Sequence, residues 1–395
     1  MSLPLPPVRA EAVAPMAAGG AWTASGDLPF AGFWGQPSDA AILLSDGRVL
    51  IAGGEDGRRT PLSSAALFTP AAGTWAAAAP LSTPRRLHTA TKLADGRVLV
   101  TGGIAGPPAT PSTGVASAEI YDPAANTWTP VGPMTEPRFS HSATLLPNNK
   151  VLVAGGSAAR STESNRALRS TELFDPATGQ WTAAPAMAEG RFGHPAVALK
   201  DGRVLVVGGA MTVGRGQYAA LAFCEIYNPT ANTWTTTGSL GTARKAHQAT
   251  VLADGSVLAS GGDIAGVNVG WSFYPYSQSS FERFDPATGA WTTLSDMPWG
   301  RSHHRAHLLA SGKVLVLGGT DNSTFDIGYQ NAGLYDPVAK TWASTVGMVT
   351  GRWAPATVTL ANGGVLVAGG ITLSGAAAPV LGEDVVTAST EIFTP

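Results

Sequence analysis

The sequence predicts an all-β protein, a seven-bladed β-propeller, and three observations carry that expectation. Seven Gly-Gly pairs begin at Gly53, Gly102, Gly155, Gly208, Gly261, Gly318 and Gly369. Seven tryptophans accompany them (Trp22, Trp75, Trp128, Trp181, Trp234, Trp291 and Trp342), and each of the last six lies 27 residues before the next pair. The chain also starts and stops out of phase with its repeat. It ends at "TEIFTP", one strand short of a unit, while Trp22 belongs to a fourth strand with no unit before it. An N-terminal strand that completes the last sheet closes the ring and leaves no open seam. A fixed period of this kind marks a repeat architecture.

Each unit reads as four strands. "HTATKLADGRVLVTGG", from His88, holds the first two, joined at Asp95-Gly96. Equivalent pairs such as Asp46-Gly47, Asn148-Asn149 and Ser311-Gly312 suit the left-handed positions of a two-residue hairpin. The run "RVLVTGG" is apolar without alternation, as expected of a strand buried on both faces. The third strand carries the aromatic of "EIYDP" or "ELFDP", and a Pro-containing turn leads to the fourth, centred on Trp. Residues 1–20, "MSLPLPPVRAEAVAPMAAGG", lack an apolar signal core and read as a disordered or extended leader before a single propeller of residues 21–395.

The Gly-Gly pair, the aromatic that follows it and the Trp beyond resemble the kelch repeat. The resemblance covers residues 21 to 395 and implies a kelch-type propeller with bacterial-style repeats, similar to those of galactose oxidase-like proteins. It says little about function, because that fold serves enzymes, carbohydrate binders and protein-interaction platforms alike.

Composition narrows the partners. Charged residues make up 13 % of the chain and the formal net charge is −2, so no nucleic acid is expected. No apolar run approaches a membrane span, and a monomer is expected. One Cys excludes a disulfide framework and leaves the compartment open.

Aligning the units separates framework from exception. Arg85, Arg138, Arg191, Arg244, Arg301 and Arg352 recur before the first strand; His88, His141, His194, His247 and His304 recur at its start. Glu119, Glu172, Glu225, Glu282 and Glu391 recur on the third strand, so a repeated ion-pair network is available. Recurrence in nearly every blade points to a structural duty rather than to a ring of ligand-binding cations.

Four tryptophans stand outside the repeat: Trp34, Trp271, Trp299 and Trp353. From Gly-Gly to the strand-three aromatic the units span 15, 19, 19, 19, 23, 17 and 24 residues, so units five and seven carry enlarged loops. Extra length and extra aromatics fall on neighbouring units five, six, seven and one. They predict a pocket on one face walled by Trp34, Trp271, Phe273, Tyr274, Tyr276, Trp299 and Trp353, with Arg301 and Arg305 as polar contacts.

"GRSHHRAHLLASGKVLVLGG", from Gly300, holds three of the seven histidines. His304 is framework, whereas His303, Arg305 and His307 break the pattern and, on a strand, would share a face. Residues four apart on a strand are about 13 Å distant, too far to share one ion, so no metal and no cofactor are expected. His303 or His307 with Asp263, Asp321 and Tyr329 makes a candidate acid-base set. Asp326 lies in the same loop as Tyr329. The resemblance to galactose oxidase-like proteins implies a copper centre of tyrosines, histidines and a Tyr-linked Cys, but Cys224 sits in a framework strand. The leading expectation is a small-molecule or glycan site, with metal-independent isomerase, lyase or cyclase chemistry as an extension. A protein-interaction platform is the alternative, and a copper-dependent oxidase the third reading. The residues leave enzyme and binder open.

Overall fold

The computed structural model describes residues 19–35, 40–106, 113–158, 166–214, 217–264, 268–269, 272–273, 277–321, 327–380 and 382–395. Seven four-stranded antiparallel sheets form the blades of a propeller, and no α-helix occurs among the described residues. Among the described residues no helix is long and apolar enough to cross a membrane. Blade three shows the unit: Ser142–Leu145, Val151–Ala154, Thr171–Asp175 and Gln180–Ala184, each paired with the next. The other blades begin at Ala41–Leu43, Thr89–Lys92, Ala196–Ala198, Gln248–Val251, Arg305–Leu308 and Ala356–Thr359. These first strands neighbour one another from blade to blade and line the axis.

Closure is as the sequence predicts. Ala21–Ser25 pairs antiparallel with Thr390–Thr394 as the outer strand of blade seven, with Trp22 opposite Phe393. The second strands are buried throughout, as in Val151–Ala154 and Val314–Leu317, because each blade is covered on both faces by its neighbours. The repeat tryptophans lie against the strand-three aromatics, Trp128 on Tyr121 with ring centroids 4.9 Å apart.

The Gly-Gly pairs are fixed by close approach of the next blade. Gly155 has φ 63°, and a Cβ there would meet Arg191 O at 2.5 Å and the His194 ring at 2.9 Å.

The recurrent histidines stitch blade to blade. His141 Nε2 lies 2.9 Å from Thr89 Oγ1 and 3.0 Å from Thr101 Oγ1. His194 meets Ser142 Oγ at 3.0 Å, and His304 meets Ser260 Oγ at 2.8 Å. His247 is the exception. The two hydroxyl positions facing it hold Pro195 and Val207, and neither ring nitrogen has a hydrogen-bond partner. Val207→Thr places a hydroxyl where Thr101 has one. It is expected to raise stability by about 1 kcal/mol, read from the urea midpoint. An unchanged or lower midpoint would show that the unpaired imidazole is not the cost assigned to it.

The Arg-Glu network is present in five blades. Arg138 Nη2 meets Glu172 at 2.8 Å, with both side chains buried, and the pairs of Arg85, Arg191, Arg244 and Arg352 repeat it. Each Glu also accepts two backbone N–H groups from the segment entering its Arg, Thr135 and Glu136 in the case of Glu172. Blade six has Gly333 in place of Glu, and there Arg301 donates to Asn331 Oδ1 at 2.8 Å. The two units without the Glu, with Ala66 and Gly333, are those with a proline, Pro29 or Pro298, at the first of the two N–H positions. Where the acceptor is gone, so is a donor.

Candidate functional site

Loops joining strands two and three, and those joining blades, emerge at one end of the propeller, the loop face. The hairpin turns and the Pro turns emerge at the other, the turn face. On the loop face each Arg is followed by a residue bridged to the position after Gly-Gly, as Lys245 is to Asp263 and Trp353 to Ile371. Next comes a residue in left-handed conformation: Leu87, Ser140, Gly193, Ala246, His303 and Ala354 have φ between 49° and 60°. Their main chains hydrogen-bond in a girdle around the axis. Ser140 N donates to Leu87 O, Gly193 N to Ser140 O, Ala246 N to Gly193 O, His303 N to Ala246 O, Ala354 N to His303 O and Trp34 N to Ala354 O.

The girdle's last carbonyl, Trp34 O, accepts from Arg305 Nη2 at 2.7 Å. Arg305 also donates through Nε to Pro355 O at 3.0 Å and through Nη1 to His304 O at 3.3 Å. One buried guanidinium thus ties blades six, seven and one at the closure point. Arg305→Met is expected to lower stability by about 3 kcal/mol, with faster amide exchange at Trp34 and Ala354. A cost under about 1 kcal/mol would remove Arg305 from this role.

Around the girdle lies a mixed cluster. The His303 ring is tilted against Trp353 at 5.3 Å, and the Phe33 ring is tilted against the same Trp353 at 6.2 Å. Asp263, 1 % exposed, accepts from Lys245 Nζ and Ser277 Oγ, both at 3.3 Å. Lys245 Nζ sits 5.8 Å from the Tyr218 ring centre, and Tyr218 packs edge-on to Phe192. Burial pushes the His303 imidazole down to about 4; Asp263 opposes this, and Lys245, Arg305 and Arg59 reinforce it. At neutral pH His303 is therefore an uncharged hydrogen-bonding group, far from the value suited to proton transfer. Farther round, Glu55 is pushed up to about 7 by burial, against the pull of Arg86, which it meets at 3.0 Å. Only 3 % exposed, Glu55 is too enclosed to meet a substrate.

The structure divides the sequence-predicted site residues. Asp263 and His303 come together, and Trp353 joins them. His307 does not: it wedges between blades six and seven, its Nε2 2.8 Å from Thr357 Oγ1, and burial lowers it to about 4. The shared face expected of 303, 305 and 307 is corrected, because the left-handed turn at His303 points it elsewhere. Trp34 and Trp353, expected as pocket walls, are each 4 % exposed and belong to the core. Trp34 occupies the place where other blades put His, with its ring where a Cβ on Gly369 would fall. Arg301 and Arg305, expected as ligand contacts, are consumed by protein groups. Tyr329 lies under the Arg301 guanidinium, 5.6 Å from ring centre to Cζ. Asp321 contributes its carbonyl to Ser277 N. Trp271, Tyr274, Tyr276 and Asp326 lie outside the described residues. Phe273 is described only as backbone, in the short strand Ser272–Phe273.

Among the predicted wall residues whose side chains are described, Trp299 alone keeps the expected exposure, at 44 %. It has company. Val213, Ile264, Ile327, Val349 and Val380 are likewise exposed large apolar residues on the loop face, all in blades four to seven, while the exposed Val346 lies at the outer rim, where its carbonyl accepts from Trp22 Nε1. The turn face shows one among the described residues, Val338. Sequence reasoning missed Lys245, Tyr218, Phe192 and Phe33. For Lys245, Phe192 and Phe33 a signal was available, because the position after the recurrent Arg changes type from blade to blade; Tyr218, in the strand Gln217–Ala220, carries none.

The Kelch motif family matches residues 85–135 and 138–188, most of the second and third units. The chain is a kelch-repeat propeller. It is 30 % identical to human Kelch-like protein 34 over 55 % of its length and 31 % of the relative's. To Kelch-like protein 38 of Rattus norvegicus it is 26 % identical over 75 % of its length and 47 % of the relative's. This kelch chain thus spans about a third to a half of the curated relatives it matches. In fold it resembles a fungal alcohol oxidase of the AA5 family solved in complex with copper, with TM-score 0.70 and 19 % identity over 95 % of this chain and 76 % of that one. It also resembles YjhT, with TM-score 0.61 and 16 % identity over 81 % and 98 %. A copper centre does not fit the described residues of this propeller. They hold no group of three or more His, Cys, Asp or Glu side chains placed to share a metal. Cys224 is buried in an apolar cluster with Phe284 and Trp291 and no tyrosine, its thiol pushed up to about 11 by burial.

Proposed function

We propose that this kelch propeller is a non-catalytic binding module that presents the loop face of blades four to seven to a protein partner. The observation that carries the reading is the exposure of Trp299, Ile264, Ile327, Val349 and their neighbours on one arc of one face. Such apolar groups gather where a partner covers them, and aromatic anchors contribute most at such surfaces. The kelch-like relatives support interaction at the same coarse level. The neutral state of His303 and the mutual pairing of Lys245 with Asp263 favour binding over proton transfer.

The test compares capture of partners from an extract by the wild type, by Trp299→Ala with Val349→Ser, and by Val338→Ser on the turn face. A partner retained by the wild type and the turn-face variant, and lost by the loop-face double variant, is the expected result. A glycan array is run in parallel, because Trp299 also suits a sugar face. Saturable glycan binding that depends on Trp299, without a dependent protein partner, would replace this reading with the glycan one. No ligand dependent on these positions would overturn both.

A further inference from the structure

A second departure from the repeat lies on the turn face, between blades five and six. In blades one, two and four the residue after the hairpin pair is an arginine that braces the next blade. Arg48, Arg97 and Arg203 donate through Nη2 to Pro123 O, Pro176 O and Pro286 O, at 3.1, 3.5 and 3.3 Å. Blade five has Ser256 there, so no such brace reaches blade six. A groove of about 400 Å³ opens instead, floored by Pro286 and Leu294.

Two cations that break the repeat line this groove. Arg283 stands where the other blades have Leu67, Ile120, Leu173, Ile226, Leu334 and Ile392. Lys340 stands where they have Gly20, Gly73, Asn126, Gly179, Asn232 and Gly289, and it takes the same left-handed turn at φ 57°. A β-carbon is disfavoured there, which is why Gly and Asn fill the position elsewhere. The strain is retained at the rim of a groove that its ammonium can reach.

The groove also holds two carboxylates, and both are committed. Asp254 pairs with Arg283 and accepts from Ser256 Oγ at 2.7 Å. Asp285 caps its own turn, accepting from Ala287 N at 2.9 Å and Thr288 Oγ1 at 3.1 Å. Arg283 spends Nε on Ser256 Oγ and Nη2 on Asp254, which leaves Nη1. The Lys340 ammonium has no partner among the described residues. Arg283 Nη1 and the Lys340 ammonium are therefore the donors left for a ligand.

We propose that this groove binds a small anionic ligand, carboxylate- or phosphate-bearing and of about monosaccharide size, through Lys340 and the free edge of Arg283, with the Thr292 hydroxyl and the Leu294–Pro286 floor beneath it. It is separate from the loop-face surface and does not rest on it.

Calorimetric titration of the full chain with inorganic phosphate, glucose 6-phosphate, glucuronate and glucose tests the assignment. Saturable binding of at least one of the three anions is expected, with glucose bound at least about tenfold more weakly. Phosphate and glucuronate identify which anion chemistry the site takes. Lys340→Asn is expected to weaken binding by about tenfold while raising the melting temperature, because it restores the residue that the turn favours. Arg283→Leu, the residue of three other blades, is expected to abolish binding. Absence of saturable anion binding by the wild type overturns the proposal. Binding that Lys340→Asn leaves unchanged, or glucose bound as well as its phosphate, does the same.

Discussion

Between pH 7.5 and pH 5.5 the propeller is expected to lose on the order of 6 kcal/mol of folding stability. Six histidines, His88, His141, His194, His247, His304 and His307, are buried, and burial lowers each below its ordinary 6.5, His88 to about 3 and His307 to about 4. Arginines nearby reinforce the shift in all six. A histidine depressed in the folded state contributes stability that is present above the unfolded value and lost as pH falls through it. The unfolded chain therefore binds protons that the folded one refuses, at a little over 1 kcal/mol per residue by pH 5.5. His303 is only half-buried, so solvent screens its contribution. Glu55 works the other way: raised to about 7, it takes up a proton in the folded state as pH falls from 7 towards 4.5. That returns about 2 kcal/mol of the loss, and Asp384, also raised by burial, acts in the same direction. Asp46, Asp95 and Asp201, all held below their ordinary range, titrate beneath this window. Marginal stabilities of about 5–15 kcal/mol mean that a loss of this size reaches the unfolding threshold. Urea midpoints measured across the range check it. A change under about 2 kcal/mol would show that the histidines do not stay neutral in the folded state.

Removing one framework carboxylate is the second large effect. Glu172→Ala is expected to cost about 3–5 kcal/mol, because Arg138 is left buried without its countercharge and two N–H groups lose their acceptor. Blade six shows how the chain does without it: Pro298, Asn331 and Gly333 take the three places. Installing that set in blade three as Thr135→Pro, Ser170→Asn and Glu172→Gly is expected to recover at least about half of the loss. Thermal and urea unfolding of the single and triple variants decide this. A triple variant no more stable than Glu172→Ala would show that proline at the first N–H position and loss of the carboxylate are not linked.

The blades were legible because each is printed seven times: a spacing of 27 residues between Trp and Gly-Gly leaves one architecture, and the unpaired Trp22 strand supplies its closure. The candidate site was less legible, for reasons that particular residues make plain. Trp34 looked like an exception because the sequence carries four additional residues beside it, yet its ring fills the slot that histidine fills elsewhere. Arg305 looked like a ligand contact because it is charged and off-pattern. Its partners are backbone carbonyls of blades six, seven and one, and backbone partners leave no mark in a sequence. Strand alternation pairs His303 with His307, but the left-handed conformation of His303 breaks the alternation just before the strand Arg305–Leu308 begins. Asp263 with His303 was found because both lie beside landmarks of the repeat.

The pairing of Ala21–Ser25 with Thr390–Thr394 bears on how the gene could be rewritten. Ala21 stands opposite Thr394, so the first and last strands of the ring lie side by side, and a short linker can join them. New termini can then be opened at an exposed hairpin such as Asn148-Asn149, and the same seven sheets follow in a different order of synthesis. The chain has a beginning; the ring it builds has none.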